Sequence, residues 1–381
     1  MSALRSCVNL LVDLDDPLFA QDDVHHAIEA LDREGGIYAG REHRTPERVL
    51  GWIDGEFGGV RSHEAAAGGL WLASRAGAPV GFAAFDARGL RYHWLHAWAQ
   101  REGVGIFGPF GIGETARRCG IGRVLLRAAL FSLRERGYRQ ALIPAVADPA
   151  LIAYYERFAH ARVVENLDAG RCDRRFRVTV LASGNGSNFA AVLDAATCGT
   201  LPLDIAALVV NKPDAYVTTR ARTGGVPVRE LFWDRGSTSR DEYDERLLAA
   251  VAATEPELVL LLGWMHVLAT PFVARFPEML NLHPAFLPLD PAAECATMPD
   301  GSEIPAYRGA RAFEDALARG SAWAGATLHR VGVAVDRGAV YARAPLALDR
   351  ASPRAELDRR LHVIERRVVA DGTRRWTWEQ P

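Results

Sequence analysis

The chain has 381 residues, a formal net charge of −2 from 45 basic and 47 acidic side chains, and 49% hydrophobic residues. This length predicts two domains of ordinary size or one large domain, and the composition excludes disordered, collagen-like and disulfide-framework proteins. Because the charges balance and no local basic patch is evident, nucleic-acid and anionic-membrane partners are not expected.

The N-terminal residues, the apolar runs and the cysteine spacing of the sequence predict a cytoplasmic protein. The N-terminus reaches Asp13, Asp15 and Asp16 before any long apolar run, which is unlike a secretory signal. The longest apolar run, Leu258–Ala269, is too short to cross a bilayer and is interpreted as a buried strand. The cysteines show no C-x-x-C spacing and favour reduced thiols over disulfides or a zinc site; they are Cys7, Cys119, Cys172, Cys198 and Cys295.

The N-terminal segment contains an anion-binding turn at the start of a predicted helix. An amphipathic helix is expected near Val24–Leu31, and a strand is expected over Val104–Ile112. The motif Arg117-Arg-Cys-Gly-Ile-Gly-Arg123 then opens a second amphipathic helix, which Gly137 ends. Glycines at a helix start let backbone N–H groups approach a pyrophosphate, and the arginines add positive charge.

A strand over Gln140–Val146 and a helix around Ala153–Phe158 follow this motif. The stretch Leu70–Val164 is similar to the acetyl-CoA-dependent acetyltransferases of the GNAT superfamily. The resemblance implies a mixed-sheet domain that binds acetyl-CoA or another acyl-CoA, with Tyr155 as the acid for the thiolate. It also implies which residues hold the CoA pyrophosphate, namely Arg117, Arg118, Gly120, Gly122 and Arg123.

Two other features of this segment favour plain structural interpretations. No general base is evident, and Glu114 is interpreted as a solvated loop acid. The motif His93-Trp94-Leu95-His96 has no carboxylate or cysteine partner at a metal-ligand spacing, so no metal is predicted. Trp94 and Trp98 are instead expected in the core.

The polar stretch Asn166–Arg175 separates two segments that each alternate strands with helices, which places the domains at 1–169 and 170–381. The second segment predicts, in chain order, strand Phe176–Ala182, helix Phe189–Thr197, strand Ile205–Val210, helix Asp241–Thr254 and strand Leu258–Leu262. Such units imply a doubly wound, mainly parallel sheet in an α/β fold, with ligands at the carboxyl ends of the strands.

The turn Ser183-Gly-Asn-Gly-Ser-Asn188 follows the first of these strands and opens a helix, where backbone N–H groups attract an anion. A dinucleotide fingerprint would need a third glycine, but Phe189 stands at that position. It would also need an acid after the second strand, where Asn211 and Lys212 stand. An NAD site is therefore disfavoured, and a tight turn without a ligand stays open as an alternative.

The sharpest local signal is Leu280-Asn-Leu-His-Pro284. Residues two apart in an extended chain face the same side, so the Asn281 amide and the His283 imidazole are expected together. A carboxamide beside an imidazole suits stabilisation of an oxyanion and proton movement near neutral pH. A further strand leads to Asp336-Arg-Gly338, a turn whose carboxylate could orient that imidazole or relay protons. A structural histidine and an ordinary turn are the alternatives.

An ordered set of short motifs spans the region from Arg177 to Trp376. In chain order they are Ser183–Asn188, Asn211-Lys212, Asp214-Ala215, Gly263-Trp-Met265, Asn281-Leu-His-Pro284, Leu287-Pro288, Thr327-Leu-His329 and Asp336-Arg-Gly338. Together they resemble the folate-dependent formyltransferases of the glycinamide ribonucleotide transformylase type. Members of that family move a formyl group from 10-formyltetrahydrofolate to an amine.

The resemblance implies roles for three sets of residues. Asn281 and His283 would hold the oxygen that gains charge, while Asp336 would assist proton movement through water or His283. The pterin would lie beside Trp264, Met265, His266, Val267 and Leu268 and the loop before Asp336. The substrate side would include Gly184, Asn185, Gly186, Ser187 and Asn188, together with Glu365 in His362-x-x-Glu365.

The sequence also departs from the family pattern. An extra loop, Leu289–Pro305, precedes the Tyr-Arg-Gly motif in Ala306–Ala310 and lies where the acceptor amine should enter. His266 occupies the pterin-side position that follows Gly-x-Met.

The sequence therefore predicts a bifunctional enzyme that acylates small-molecule amines, with formyl transfer in the C-terminal domain and acyl transfer from acyl-CoA in the N-terminal domain. One alternative is a single-activity N-formyltransferase whose GNAT-like domain is a non-catalytic docking module. Another is a formyltetrahydrofolate hydrolase, in which water is the acceptor. A tRNA acceptor is disfavoured by the charge balance, and a homodimer is compatible with the sequence.

Overall fold

The computed structural model describes residues 7–42, 44–90, 92, 95, 98, 101–167 and 174–380. The predicted domain boundary at 169/170, Cys172, and His93, Trp94 and His96 of the histidine motif lie outside these residues. The described residues form two compact units, one mainly from residues before 168 and the other from 174–298 and 302–377.

The first unit is built on a mixed sheet. Its strands are β1 Cys7–Asp13, β2 Ile37–Glu42, β3 Gly69–Arg75, β4 Ala78–Phe85, β5 Val104–Ile112, β6 Gln140–Val146 and β7 Arg162–Leu167. Its helices are α1 Gln21–Gly35, α2 Glu47–Phe57, α3 Gly59–Ala66, α4 Ile121–Glu135 and α5 Pro149–Ala159. The strand order is β2-β3-β4-β5-β6-β1-β7, and β5 runs parallel to β6 while the other neighbours are antiparallel.

The parallel pair β5 and β6 separates partway along its length. The two strands pair only from Val104↔Gln140 to Ile106↔Leu142. Beyond that point β5 continues along β4 and β6 continues along β1. The carboxyl-terminal halves of two neighbouring parallel strands therefore diverge, which leaves room for an extended ligand to lie between them.

Helix α4 begins beside this opening. Its N-cap, Gly120, has φ 77°, a left-handed conformation that glycine adopts without strain. Leu125, Leu126 and Leu130 of α4 are fully buried against the sheet. The predicted start of the helix and its termination by Gly137, which has φ 87°, match the structure.

The second unit is built on a larger sheet. Its strands are β8 Phe176–Ala182, β9 Leu203–Val210, β10 Val228–Glu230, β11 Leu258–Leu261, β12 Met279–His283, β13 Cys295–Thr297, β14 Glu303–Pro305, β15 Trp323–Arg330 and β16 Val340–Ala347. Its helices are α6 Ser187–Thr197, α7 Val217–Thr223, α8 Arg240–Ala252, α9 Thr270–Arg275, α10 Ala312–Ala318 and α11 Arg354–Trp378. The strand order is β10-β9-β8-β11-β12-β15-β16, parallel as far as β12 and antiparallel beyond it, while β13 and β14 form a separate hairpin.

Both faces of this sheet are covered, as expected for a doubly wound fold. In β11, Leu258 and Leu260 join one buried cluster, while Val259 and Leu261 join the cluster on the opposite face. The observed strand is shorter than the apolar run Leu258–Ala269, which is interpreted from the sequence as a buried strand. Strand β11 ends at Leu261, because the chain turns at Gly263, which has φ 80°. Within the described residues, none of the helices combines the length and the apolarity needed to span a bilayer.

Candidate active site

Side-chain alternation brings Asn281 and His283 together at the end of β12. Leu280 and Leu282 pack into the buried cluster on one side of the strand. Asn281 and His283 therefore face the other side, and the strand ends at His283, before the proline. The predicted common side of these two residues matches the structure.

Asp336 joins these two residues from the loop after β15. Its Oδ2 accepts a hydrogen bond from the Gly309 backbone N–H at 2.7 Å and lies 3.5 Å from His283 Nδ1. Its Oδ1 lies 3.4 Å from Asn281 Nδ2 and 3.3 Å from His329 Nε2. Burial raises the pKa of Asp336, but the contact with His329, the charge of His283 and the Gly309 N–H outweigh it and hold the pKa at about 2. The carboxylate is therefore ionised at neutral pH.

Hydrogen bonds to main-chain carbonyls fix the protonation pattern of the two histidines. His283 Nε2 lies 2.8 Å from the Tyr307 carbonyl oxygen, so Nε2 carries a proton and Nδ1 is the nitrogen that gains or loses one. His329 Nδ1 similarly faces the Arg330 carbonyl at 2.9 Å, and its Nε2 lies 3.2 Å from Asn281 Nδ2 and 3.3 Å from Asp336 Oδ1. Burial lowers the pKa of His283, and the Asp336 carboxylate opposes that shift only in part.

The turn that carries Asp336 depends on Gly338. An ideal Cβ on Gly338 would lie 1.6 Å from the Arg330 carbonyl oxygen, whereas one on Gly332 in the same loop would meet no atom within 4 Å. We expect Gly338→Ala to lower the free energy of unfolding by about 2–3 kcal/mol, because the backbone must move to relieve the overlap. Gly332→Ala is the matched control in chemical denaturation, and equal stability of the two variants would contradict the expectation.

The Asn281, His283 and Asp336 side chains border a cleft of about 280 Å³. One wall of the cleft is the segment predicted to hold the pterin, Trp264, Met265, His266, Val267 and Leu268. The opposite wall is the loop from Val331 to Asp336, and Met265, Val267, Val333 and Val335 remain half or more exposed at the rim. An exposed apolar rim around a few polar groups is typical of a site for a flat, largely apolar ligand.

Glu365 of α11 and Asn188 of α6 also line the cleft. Asn188 Nδ2 donates to Glu365 Oε2 at 3.0 Å, and Asn188 Oδ1 is buried without a hydrogen-bond partner. Burial raises the pKa of Glu365, while the hydrogen bond from Asn188 lowers it in part. An acidic group and an amide oxygen are thus available to an amine that enters the cleft.

The residues before Asn188 form the expected turn at the start of α6 but are not among those that line the cleft. Gly186 has φ 78°, and a Cβ there would lie 2.4 Å from a Val217 methyl group, so the turn requires glycine. The Arg220 guanidinium donates to the Asn185 backbone and side-chain oxygens, each at 3.0 Å. Backbone N–H groups in the first turn of α6 lack intrahelical partners and are suited to an anion.

The predicted CoA-binding residues lie together at the start of α4 in the first unit. Arg118 has φ 65°, and the Arg117 Nε donates to the Ile112 carbonyl oxygen at 3.3 Å, which holds the turn at the end of β5. Arg118 and Arg123 are exposed and form no ion pair within the described part of the chain. An ideal Cβ on Gly122 would lie 3.0 Å from the Tyr154 hydroxyl oxygen, so this glycine allows close packing against α5.

Two tyrosines of α5 face this region. Tyr155, the predicted acid, is only 3% exposed and packs against Phe107 and Phe110 of β5. Burial raises the pKa of Tyr155 and also raises that of Tyr154, to about 12, so both hydroxyls stay protonated at neutral pH. The Tyr154 hydroxyl is buried without a hydrogen-bond partner, a feature that the sequence interpretation did not single out.

Other residues of the sites could not be assigned a role from the sequence. His329 lies directly across from Asn281 in the β12–β15 register, and Arg308 Nε donates to the Asp336 carbonyl oxygen at 3.2 Å. The only signals were the Thr327-Leu-His329 and Tyr-Arg-Gly motifs, which do not indicate contact with the trio. Within the described residues, no cluster of three or more His, Cys, Asp or Glu side chains suits a metal ion.

Comparisons with known proteins match each half of the chain to one family. The formyl transferase family matches residues 176–293 and 301–372, and the acetyltransferase (GNAT) family matches residues 25–160. The phosphoribosylglycinamide formyltransferase of Mycobacterium tuberculosis H37Rv is 35% identical over 194 residues, which cover 51% of this chain and 81% of that protein. The Escherichia coli K12 protein of the same name is 28% identical over 192 residues, covering 50% of this chain and 82% of that protein.

Among solved structures, glycinamide ribonucleotide transformylase 1 from Symbiobacterium toebii is 29% identical, with a TM-score of 0.46, covering 55% of this chain and 89% of that one. The match to the formyl transferase family over residues 176–293 and 301–372 and the 35% identity across 81% of the Mycobacterium tuberculosis protein decide the assignment. The chain belongs to the formyl transferase family through its C-terminal half, and residues 25–160 of its N-terminal half match the acetyltransferase (GNAT) family.

Proposed function

We propose that the C-terminal domain transfers the formyl group of 10-formyltetrahydrofolate to the amine of a small-molecule acceptor. The observation that carries this proposal is the convergence of Asn281, His283 and Asp336 on one cleft. A carboxamide donor can stabilise the oxyanion that forms in acyl transfer to an amine, and a histidine beside an ionised carboxylate can accept the proton of the amine.

The cleft fits the formyl donor through its walls. When bound, 10-formyltetrahydrofolate supplies an activated one-carbon acyl group. The segment from Trp264 to Leu268 lines the cleft beside the place of the pterin, and Met265 and Val267 offer apolar contact to it. Val333 and Val335 provide apolar contact from the opposite wall. These residues hold and orient the donor and exclude water from the reacting group.

Glu365 and Asn188 bind the acceptor amine in this proposal. A carboxyl group with a raised pKa pairs with an incoming ammonium group and accepts its first proton, because the attacking nitrogen must be uncharged. The unpartnered Asn188 Oδ1 accepts a hydrogen bond from the same amine. The first turn of α6 is suited to an anionic group elsewhere on the acceptor.

His283, Asp336 and Asn281 then carry the chemistry of transfer. His283 Nδ1 accepts the proton that the amine loses as the new bond to the formyl carbon forms, and the adjacent Asp336 carboxylate stabilises the resulting imidazolium. His283 then gives this proton to the donor nitrogen as the bond between that nitrogen and the formyl carbon breaks, which releases tetrahydrofolate. Asn281 Nδ2 lies 3.2 Å from His329 Nε2 and 3.4 Å from Asp336 Oδ1, so its contact with Asp336 is the longer of the two. The N–H group that faces Asp336 turns to the formyl oxygen, which gains negative charge during the reaction.

The proposal is tested by incubating the purified chain with 10-formyltetrahydrofolate and a panel of small amines, with and without amine. Formylated amine together with tetrahydrofolate is the expected result. Formate released at the same rate without any amine identifies a hydrolase instead. The proposal would be wrong if the chain did not bind the donor and formylated none of the amines.

For the N-terminal domain we propose acyl transfer from acyl-CoA to an amine. The supporting observations are the divergence of β5 from β6 and the glycine turn that opens α4 beside it. Backbone groups of the separated strands are available to the amides of an extended pantetheine arm, and the exposed Arg118 and Arg123 are available to the pyrophosphate. Tyr155 remains protonated and serves as the acid for the departing thiolate.

We expect Arg123→Ala to weaken CoA binding about tenfold, because a charge-assisted hydrogen bond to the pyrophosphate is lost. The matched control is Arg33→Ala, which removes an exposed arginine of α1 that pairs with Glu29. Calorimetric titration with CoA measures both variants, and equal affinities would contradict the placement of the pyrophosphate. CoA binding without acyl transfer to any amine identifies the domain as a docking module.

A further inference from the structure

The extra loop of the C-terminal domain folds into a hairpin that packs against the domain. Strands β13 and β14 pair from Cys295↔Pro305 to Thr297↔Glu303. The hairpin residues Ala296, Met298 and Ile304 are buried in one cluster with Phe286 and with Ala316 of α10. The formyl transferase family model leaves residues 294–300 unmatched, and this segment contains Glu294, strand β13 and the turn of the hairpin.

The first unmatched residue, Glu294, bridges two arginines. Its carboxylate pairs with Arg308 Nη1 at 3.1 Å and with Arg337 Nη2. The same two guanidiniums hold the backbone just before it: Arg308 donates to the Ala293 carbonyl at 2.7 Å, and Arg337 donates to the Pro291 carbonyl at 3.1 Å. The start of the inserted loop is thus joined to both arginines by side-chain and main-chain contacts.

Each of these arginines is connected to the main chain of Asp336. Arg337 follows Asp336 directly in the chain, and Arg308 Nε donates to the Asp336 carbonyl oxygen at 3.2 Å. The residue after Arg308, Gly309, donates its backbone N–H to Asp336 Oδ2 at 2.7 Å. A shift of either arginine therefore moves the carboxylate or its main-chain donor.

We propose that Glu294 is a positioning residue that holds the Asp336 carboxylate in place through Arg308 and Arg337. This inference rests on the formyl transfer proposed above, in which Asp336 stabilises the His283 imidazolium. It gives the inserted hairpin a part in the reaction without any contact between the hairpin and the reacting atoms.

The electrostatics of the cluster support this role. Arg308 and Arg337 are two cations joined by one carboxylate, so loss of its charge leaves two like charges close together. The hydrogen bond from Arg337 lowers the pKa of Glu294, so the bridge is charged at neutral pH. The Glu294 side chain is 70% exposed, so the bridge contributes little to global stability and acts mainly on the local position of the loop.

The test compares Glu294→Gln with Glu303→Gln. Glu303 lies on the same hairpin, is exposed, and forms no ion pair within the residues described here. We expect Glu294→Gln to lower kcat for formyl transfer about five- to tenfold with KM for the donor unchanged within about twofold, since misplacement of a catalytic group affects the chemical step rather than donor binding. We expect Glu303→Gln to match the unmodified chain, and Glu294→Asp to recover most of the lost kcat.

A second readout does not depend on activity. Hydrogen–deuterium exchange in the 331–339 segment should quicken in Glu294→Gln and stay unchanged in Glu303→Gln, with equal melting temperatures in all variants. Unchanged kcat and unchanged exchange in Glu294→Gln would overturn the inference, as would a fall in kcat matched by a fall in melting temperature. If the unmodified chain transfers no formyl group but exchange still quickens, the proposed function fails while the structural bridge stands.

Discussion

Asp336→Asn should reduce kcat/KM for formyl transfer by about 10³-fold, in the range seen when a buried catalytic carboxylate becomes an amide. The substitution keeps the size and shape of the side chain. It removes the negative charge that stabilises the His283 imidazolium across 3.5 Å. It also places amide hydrogens near the Gly309 N–H or Asn281 Nδ2, where the present carboxylate accepts hydrogen bonds.

Steady-state kinetics with the formyl donor and a responsive amine measure this effect, and direct titration with the donor shows whether binding is retained. Asp194→Asn, on the exposed surface of α6, is the control for loss of one carboxylate in the same domain. A loss of less than about tenfold in Asp336→Asn, with donor binding intact, would show that the charge of Asp336 takes no part in the slow step.

The parts of this site that could be predicted from the sequence are those set by local rules. Alternation along an extended chain is local, so the common side of Asn281 and His283 follows from their spacing. The turn at Gly186 can also be predicted locally, because this glycine stands between a predicted strand and a predicted helix. Even here the bounds shift, because α6 begins at Ser187, two residues before the predicted Phe189.

The parts that could not be predicted depend on how distant segments meet. Asn281 and His329 are 48 residues apart and come together only through the β12–β15 register. Glu294 and Arg337 are 43 residues apart, and nothing in the composition of the inserted loop indicates their pairing. An apolar run likewise gives no end point, so β11 stops at Leu261 while the run extends to Ala269.

Removal of the imidazole in His283→Ala is expected to lower kcat/KM by about 10²–10³-fold, because the amine then has no acceptor for its proton at the reacting centre. The side chain is 4% exposed and its Nε2 donates to the Tyr307 carbonyl oxygen, so the variant also leaves a small cavity. Added imidazole of suitable size should restore part of the activity by occupying that cavity. Full activity of His283→Ala, or its loss through unfolding alone, would count against a role in proton transfer.

The pH dependence of the unmodified chain gives an independent check on His283. Only the form with an unprotonated Nδ1 accepts a proton, so activity is present above the pKa of His283 and is lost as the pH falls through it. Burial lowers this pKa below its ordinary value of 6.5, so kcat/KM should stay level as the pH falls to 6.5 and decline only below it. Asp336 raises the same pKa, so the residual activity of Asp336→Asn should decline at a still lower pH. If kcat/KM already declines at pH 6.5 or above, the group that titrates is not His283. The same conclusion follows if Asp336→Asn does not shift the pH at which kcat/KM declines.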